Sequence, residues 1–225
     1  MKIADRVAPG LTVLSGLAML AAIYAALLYA PTERVMGPLQ RIFYFHLPTA
    51  IAAFIAFAVA FGASLAYLAR GSRRWDALAV SAVEVGEVFS TLVLLTGMLW
   101  ARVAWNTWWT WDPRLTTMLV LWLIYAGYLM LRSSLEDEAR RARYAAVLAV
   151  LGFLDVPIVF MAIRWWRTIH PVLFDASGAH IEPAMLAAVA VSMAAFLGLL
   201  ASLLAARMRL EILSGDVEEL RRRLL

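Results

Sequence analysis

The sequence contains no cysteine among its 225 residues. The chain therefore forms no disulfide, no thiolate metal site and no thioether link to a cofactor of its own. Only three histidines are present, and charged residues make up 16% of the chain. The phosphate-binding pattern G-x-x-x-x-G-K-[ST] is also missing, so nucleotide hydrolysis would need a partner protein. These absences leave open whether the chain is an enzyme.

Apolar residues are abundant: they make up 64% of the chain, and the mean hydropathy is +0.78. Soluble domains contain about 45–50%. Six segments approach the roughly 20 apolar residues that a spanning helix needs, namely 11–30, 47–69, 77–101, 115–131, 144–163 and 184–206. The first is interpreted as a retained span, because Pro31 follows where a signal peptide would be cleaved. We therefore predict an all-α integral membrane bundle of six transmembrane helices, forming one domain over residues 1–225.

The basic residues predict how this bundle is oriented. Fourteen of the 20 Lys and Arg residues lie on the side that holds both termini. The other six are Arg34, Arg41, Arg102, Arg114, Arg164 and Arg167. The positive-inside rule then predicts that both termini are cytoplasmic. The net charge of +4 therefore reflects orientation in a lipid membrane, and it does not indicate a nucleic-acid partner.

All three histidines fall on the opposite, outer side. The stretch RIFYFHLP places His46 at the outer mouth of the second span, with Pro48 suited to the first helical turn, and RWWRTIHP places His170 just outside the fifth span. A single histidine is more often structural than a ligand. Two neutral imidazoles converging on one membrane face would, however, suit an axially ligated haem iron. His180 is interpreted as a surface residue.

The stretch WNTWWTWDPRL, residues 105–115, places four tryptophans in seven positions between spans three and four. The enrichment of Trp at membrane interfaces explains why these residues lie at the level of the membrane surface, but it does not explain why four of them occur so close together. At helical spacing three of them share one face, which predicts an outer amphipathic segment over residues 102–114 that offers a flat aromatic shelf to a planar macrocycle. The predicted shelf comprises Trp105, Trp108, Trp109 and Trp111, extended by Trp165 and Trp166. The remaining tryptophans, Trp75, Trp100 and Trp122, are interpreted as interface anchors.

Charged residues near the shelf allow two interpretations. Asp112 and Pro113 suit the N-cap and first position of the fourth span, which could be their whole role. The outer arginines could pair with haem propionates or with lipid headgroups, and the sequence favours neither; they are Arg41, Arg114, Arg164 and Arg167.

Three acids fall inside predicted spans: Glu84, Glu87 and Asp155. Acids in a membrane are costly and indicate function. They support an alternative hypothesis, a proton-coupled membrane transporter. The predicted spans offer these acids no basic residue as a partner, which weakens this alternative.

The tryptophan-rich stretch resembles the WWD motif of haem-handling membrane proteins in cytochrome c maturation. The stretches QRIFYFHLP, LDVP and RWWRTIHP resemble the CcmC (haem exporter protein C) family in particular, over nearly the whole chain. The resemblance implies that haem b is held at the periplasmic face of the bacterial inner membrane and delivered to the haem chaperone CcmE. It also implies that His46 and His170 are axial ligands and that Arg41 and Arg114 match family arginines. The haem platform and chaperone contact would be Trp105, Trp108, Trp109, Trp111 and Asp112.

The same resemblance implies an ABC-type complex with the ATPase subunit CcmA, the membrane subunit CcmB and the small single-span CcmD. One residue departs from the family pattern, because Asn106 stands where Gly is usual. Asn tolerates the left-handed backbone conformation, so we expect Asn106 to keep a glycine-like turn.

Overall fold

The computed structural model of the chain describes residues 2–166, 168, 174–175, 178–179 and 181–224. Six of its helical segments are long and apolar enough to cross a membrane, which confirms the predicted all-α, six-span architecture. The candidate spans are Pro9–Tyr29, Pro38–Arg70, Arg73–Ala104, Pro113–Ser134, Glu138–Trp165 and Pro183–Leu224. The β-structure of the described part consists of an isolated bridge between Glu33 and Gly37 and one antiparallel pair of two-residue strands, β1 (Phe174–Asp175) and β2 (Gly178–Ala179).

Seven α-helices build these spans. They are α1 (Lys2–Tyr24), α2 (Phe43–Arg70), α3 (Arg73–Ala104), α4 (Pro113–Ser134), α5 (Glu138–Phe153), α6 (Asp155–Trp165) and α7 (Pro183–Leu224). A π-helical turn, Ala25–Tyr29, extends α1, and a 3-10 turn, Pro38–Ile42, leads into α2. Because α2 begins at Phe43, Pro48 lies in its second turn, so the expectation of a first-turn position is wrong.

The alternation of the spans brings six helix ends together. Gly71, with φ 63°, ends α2, and after it α3 runs back antiparallel. The N-termini of α2, α4 and α7 and the C-termini of α1, α3 and α6 consequently lie at one end of the bundle, here called the outer end. The opposite end, with the start of α1 and the finish of α7, is the inner end.

Small residues make the closest helix contact, between α2 and α3. The buried face of α2 is alanine-rich, and Gly86 of α3 packs against it so tightly that a Cβ on Gly86 would lie 2.8 Å from Phe57 Cε1. Phe57 in turn stacks on Tyr125 of α4, with ring centroids 3.9 Å apart. Membrane helices associate through such close packing, because apolar burial alone gains little in lipid.

The fifth span is broken into α5 and α6, which the sequence had predicted as one helix. Pro157 has no N–H to donate to the carbonyl of Phe153, four residues earlier, and its ring crowds that carbonyl. Helix α5 ends at Phe153, and α6 packs mainly against α4. Proline chemistry thus accounts for the position of the break.

Ion pairs join the helices toward the inner end. Arg132 of α4 donates two hydrogen bonds to Asp76 of α3, at 2.6 and 3.0 Å, and their side chains are only 9% and 17% exposed. Arg207 of α7 binds Glu84 of α3, with Nη2 2.8 Å from Oε1. The sequence predicts no basic partner for Glu84 within the spans; its partner Arg207 lies one residue beyond the sixth predicted span, where α7 stays helical and brings it alongside.

Candidate functional site

His46 lies in the first turn of α2 at the outer end, as predicted, and its ring is directed toward α3. Its Nδ1 lies 2.8 Å from Thr96 Oγ1. The next residue of α3 is Gly97, where a Cβ would lie 3.5 Å from His46 Cε1. The imidazole is therefore held between its own helix and the Thr96–Gly97 turn of α3.

The proton on the His46 ring follows from the geometry of Thr96. The Thr96 hydroxyl lies 2.7 Å from the Leu92 carbonyl oxygen, a separation that two oxygens tolerate only with a proton between them. That hydroxyl has one proton, so it donates to Leu92 and accepts from His46 Nδ1–H. The neutral imidazole then carries its lone pair on Nε2. This is the usual arrangement of metal-binding histidines, in which an acceptor fixes the other ring N–H.

A cavity of about 510 Å³ lies one turn outward of this contact, within the roughly 300–1,000 Å³ typical of ligand pockets. Phe43, three residues before His46, and Trp100, four residues after Thr96, both line it. Residues at these spacings share a helix face, so the cavity lies one helical turn from the His46–Thr96 pair, neither of which is among its lining residues. Its other apolar walls include Met36, Ile181 and Met185.

Polar groups sit at the rim and base of this cavity. Gln40 is 6% exposed, and its Oε1 has no hydrogen-bond partner among the described residues. At the rim, the backbone N–H of Met36, together with those of Val35 and Arg34, lowers the pKa of the Glu33 carboxyl against the opposing effect of desolvation. Arg34 also lines the cavity and supplies a cation for a carboxylate ligand.

Arg41, a predicted site residue, has a structural partner. Its Nη1 donates to the carbonyl of Ala26 at 2.6 Å, and its Nη2 lies 3.4 Å from Thr32 Oγ1. Ala26 lies in the π-helical turn, where the regular i→i−4 pattern is interrupted. Arg41 thus ties the loop between the first two spans to the end of the first.

The tryptophan-rich segment between α3 and α4 is not helical, so the predicted shared helical face is wrong. Helix α3 ends at Ala104, and residues 105–112 form bends and irregular backbone. Asn106 has φ 55°, which confirms the expected glycine-like turn. Arg102 donates to Asn106 Oδ1, and its guanidinium carbon lies 5.9 Å from the centroid of the Trp108 ring. The chain reversal at Asn106 therefore positions the aromatic segment.

The four tryptophans differ in exposure. Trp108 is 56% and Trp111 75% exposed, whereas Trp105 and Trp109 are partly buried. Trp109 meets Trp111 edge to face, with centroids 5.9 Å apart. The segment consequently offers two wide aromatic surfaces at the outer end, supported by two anchored rings. None of residues 105–112 lines the cavity beside His46.

Asp112 and Pro113 occupy the positions predicted for them. Asp112 is the N-cap of α4 and accepts a hydrogen bond from the backbone N–H of Arg114 at 3.0 Å, with Pro113 as the first helical residue. The side chain of Arg114 is partly buried at this helix start. Both residues have a structural role, which does not exclude a further one in binding.

Trp165 and Trp166 end α6 at the same outer end, and both are exposed. Their rings meet edge to face, with centroids 5.8 Å apart. His170, Arg167 and His180 lie outside the described residues. The second predicted iron ligand therefore stays a prediction.

Two residues at the site had no signal strong enough to be recognised in the sequence. Thr96 reads as an ordinary threonine within an apolar span, and Trp100 was interpreted only as an interface anchor. Their i, i+4 spacing on α3 would have placed them on one face, but only the packing of α2 shows that His46 lies against that face. Trp122, by contrast, donates from Nε1 to Thr91 Oγ1 at 2.8 Å and ties α4 to α3.

The acids of the spans have separate surroundings. Glu84 is ion-paired with Arg207, and Glu87 accepts a hydrogen bond from Ser90 at 3.2 Å. Asp155 begins α6 at the break in the fifth span. Glu87 Oε1 and Asp155 Oδ2 are buried with no hydrogen-bond partner among the described residues.

Comparisons with known proteins give consistent matches. The family model described as haem exporter protein C matches residues 1–223. Haem exporter protein C of Bradyrhizobium diazoefficiens is 35% identical over 217 residues, which cover 96% of this chain and 82% of the relative. Haem exporter protein C of Escherichia coli K12 is 35% identical over 186 residues, covering 80% of this chain and 74% of the relative.

A more distant comparison comes from a plant. A protein of Arabidopsis thaliana whose name describes a ccmC-like mitochondrial protein of cytochrome c biosynthesis is 32% identical over 194 residues, covering 86% of this chain and 73% of the relative. With a family model matched over almost its whole length, this six-span chain belongs to the haem exporter protein C family, CcmC.

Proposed function

We propose that this protein binds haem b at the outer end of its bundle and delivers it to the haem chaperone CcmE in cytochrome c maturation. The observation that carries the proposal is His46, whose Nδ1–H is fixed by Thr96 so that Nε2 is the ring atom suited to bind iron, one helical turn from a cavity of about 510 Å³. The names of the relatives, which describe haem export and cytochrome c biosynthesis, support the same activity.

The described residues fit a haem cargo. His46 would supply one axial imidazole, and His170 would supply the second. The apolar cavity walls suit the macrocycle, and Arg34 or Arg114 suits a propionate, since Arg41 is already bound to Ala26. The exposed rings of Trp108 and Trp111 would cover haem or meet the chaperone, while Trp165 and Trp166 extend this aromatic surface.

The orientation and partners of the protein belong to the same proposal. We place it in the bacterial inner membrane, with the termini cytoplasmic and the outer end facing the periplasm, because the inner side carries most of the arginines. CcmA would supply the ATPase activity for which this sequence has no phosphate-binding motif. CcmB and CcmD would complete the membrane complex.

An absorption experiment tests haem binding directly. Purified protein titrated with haem should give a Soret band of a six-coordinate species, and His46→Ala or His170→Ala should weaken the affinity and shift the band. His180→Ala is the matched control, because the third histidine has no proposed ligand role. Haem occupancy and transfer to CcmE that are unchanged in both ligand variants would contradict the proposal.

The cavity and the tryptophan-rich segment are separate surfaces, so two variants can distinguish their roles. We expect Trp100→Ala to weaken haem affinity, because Trp100 lines the cavity next to the His46–Thr96 pair. We expect Trp108→Ala to lower transfer to CcmE more than affinity, because that ring is exposed. The reverse pattern would place haem on the tryptophan-rich segment instead.

A proton-coupled transporter remains a second candidate function, and two of the three acids within the spans, Glu87 and Asp155, support it. Glu87 and Asp155 each bury a carboxylate oxygen that has no hydrogen-bond partner among the described residues, whereas Glu84 is accounted for by Arg207. Loss of cytochrome c maturation in Glu87→Gln or Asp155→Asn, with haem affinity unchanged, would favour proton coupling. Normal maturation in both variants would remove its support.

A further inference from the structure

Helix α7 continues well beyond the membrane span that the sequence predicted, from residue 206 to Leu224. One side of this extension packs on the inner end of the bundle. Arg73, at the start of α3, donates to the carbonyl of Ile212 at 3.1 Å and to Asp216 at 3.3 Å, and Arg222 pairs with Glu138 of α5. These contacts hold the extension against the loops of the inner end.

The opposite side of the extension carries a row of exposed apolar side chains. Successive members are separated by three, four, three and four residues, and each is between 47% and 86% exposed. This row, here called the α7 seam, consists of Leu210, Leu213, Val217, Leu220 and Leu224. At 100° per residue the centre of the seam lies about 80–160° around the helix from Ile212, Asp216 and Arg222, the residues that bind Arg73 and Glu138. The spacing is that of the a and d positions of a coiled coil.

We propose that the α7 seam pairs with the same seam of a second copy of this chain in a parallel two-stranded coiled coil. Two copies inserted in one membrane with the same orientation project their α7 extensions in the same direction, so a parallel arrangement is imposed. Val217 at an a position with Leu213 and Leu220 at d positions favours two strands.

The charges beside the seam suit this pairing. In a parallel coiled coil a g residue faces the e′ residue five positions later on the other helix. Asp216 at g therefore faces Arg221 of the second copy, twice in a symmetric dimer. Arg209 at the preceding g position faces Ser214 of the second copy, so none of these g–e′ positions opposes like charges. Asp216 accepts from Arg73 through Oδ1, and its other oxygen can accept from Arg221 of the second copy.

The extent of the seam is short but sufficient for a tethered pair. Residues 210–224 span about 21 Å at 1.5 Å per residue, or two heptads. A free peptide of this length would be a marginal helix. Here the helix is continuous with a membrane span, and the membrane confines both copies, which raises their effective concentration.

Cysteine cross-linking in membranes tests the proposal, and the sequence favours the method because it contains no cysteine. Oxidation should link copies of the single variants Leu213→Cys and Leu220→Cys into dimers. Glu218→Cys, on an exposed position away from the seam, is the matched control and should stay monomeric. Asp216→Arg and Arg221→Asp, each added to Leu220→Cys, should lower the dimer yield, and the two together should restore it.

Each alternative occupant of the seam would overturn the proposal. If the seam lies on lipid, no position will form dimers, and a water-soluble maleimide will react with Leu220→Cys only after detergent is added. If another protein's helix covers the seam, the reconstituted pure protein will give no dimer. Equal cross-linking at Glu218 would indicate random collision. The haem spectrum should be unchanged in all these variants, so failure of this proposal and failure of the haem proposal are distinguishable.

Discussion

Replacing Thr96 by Val should weaken haem binding without unfolding the protein. Valine matches threonine in shape but cannot accept the proton of His46 Nδ1–H, which now lies 2.8 Å from the hydroxyl. The substitution leaves a partly buried ring N–H without its acceptor. It also frees the ring to rotate or to move its proton to Nε2, the atom proposed to bind iron.

The expected magnitude follows from the lost contact. Leaving a buried donor unsatisfied costs about 1–3 kcal/mol of stability, in the free and the haem-bound protein alike. Removing the group that orients a metal-binding histidine typically lowers metal affinity about 10- to 100-fold. We therefore expect haem affinity to fall by about one to two orders of magnitude. The midpoint potential should also rise, because an imidazole that loses the acceptor of its Nδ1–H donates less electron density to ferric iron.

Haem titration followed at the Soret band, together with a spectroelectrochemical titration, measures both effects. Thr96→Ser is the control, because it keeps a hydroxyl at the same place and should retain most of the affinity and potential. Wild-type affinity and potential in Thr96→Val would refute the assignment of the ring proton and, with it, the orienting role of Thr96. A similar loss in Thr96→Ser would attribute the effect to packing.

Three further predictions concern stability. Asn106→Gly should be neutral, whereas Asn106→Val should lower the melting temperature and haem transfer, because a side chain held at φ 55° costs about 1–2 kcal/mol. Asp76→Asn should lower the free energy of unfolding in detergent by about 3–5 kcal/mol, since it leaves the buried guanidinium of Arg132 unpaired. Arg222→Gln removes an exposed ion pair and should change the free energy of unfolding by less than about 1 kcal/mol. Gly86→Ala should destabilise by about 1–3 kcal/mol through the clash with α2, while Gly127→Ala, with nothing within 4 Å of its Cβ, should be neutral or stabilising. Equal effects within any of these matched pairs would contradict the corresponding contact.

The six spans could be predicted from the sequence because hydropathy alone identifies segments that are stable in lipid. The lengths of the helices could not be predicted in this way. Helix α7 has 42 residues, against the 23 of its predicted span, because polar residues on its extension bind Arg73 and Glu138. A hydropathy analysis places the end of a span where charged residues begin. The helix itself ends only where its backbone hydrogen bonding or its packing ends.

The tryptophan-rich segment shows a different limit. Its position between the third and fourth spans, the N-cap at Asp112 and the turn at Asn106 all follow from local backbone chemistry and were predicted. The relative directions of the four tryptophan rings could not be predicted. Asn106, whose backbone is left-handed, lies early in the segment and ends any helical periodicity. Side chains three apart then share no face. The assumption of helical spacing is wrong because of the turn at Asn106, although that turn was itself predicted.

The candidate site illustrates how much of a binding site depends on packing between distant segments. His46 could be placed at the mouth of its span, but the choice of iron-binding nitrogen depends on Thr96, 50 residues away. The same packing of α2 on α3 creates the cavity between Phe43 and Trp100. Gly86 makes that packing possible by omitting a side chain, and a missing side chain gives no direct signal in a single sequence.

The break in the fifth span connects the two groups of tryptophans. Because Pro157 separates α6 from α5, α6 packs mainly on α4 and carries Trp165 and Trp166 to the outer end. Helix α4 begins directly after Asp112, at the end of the tryptophan-rich segment. One rigid helix therefore supports both groups of rings, and a shift of α4 would move them together. His46 is held by α2 and α3, and Arg102 of α3 also contacts Asn106 and Trp108 of the tryptophan-rich segment. The proposed iron ligand and the exposed aromatic surface are therefore connected through α3, so a displacement of that helix would move both.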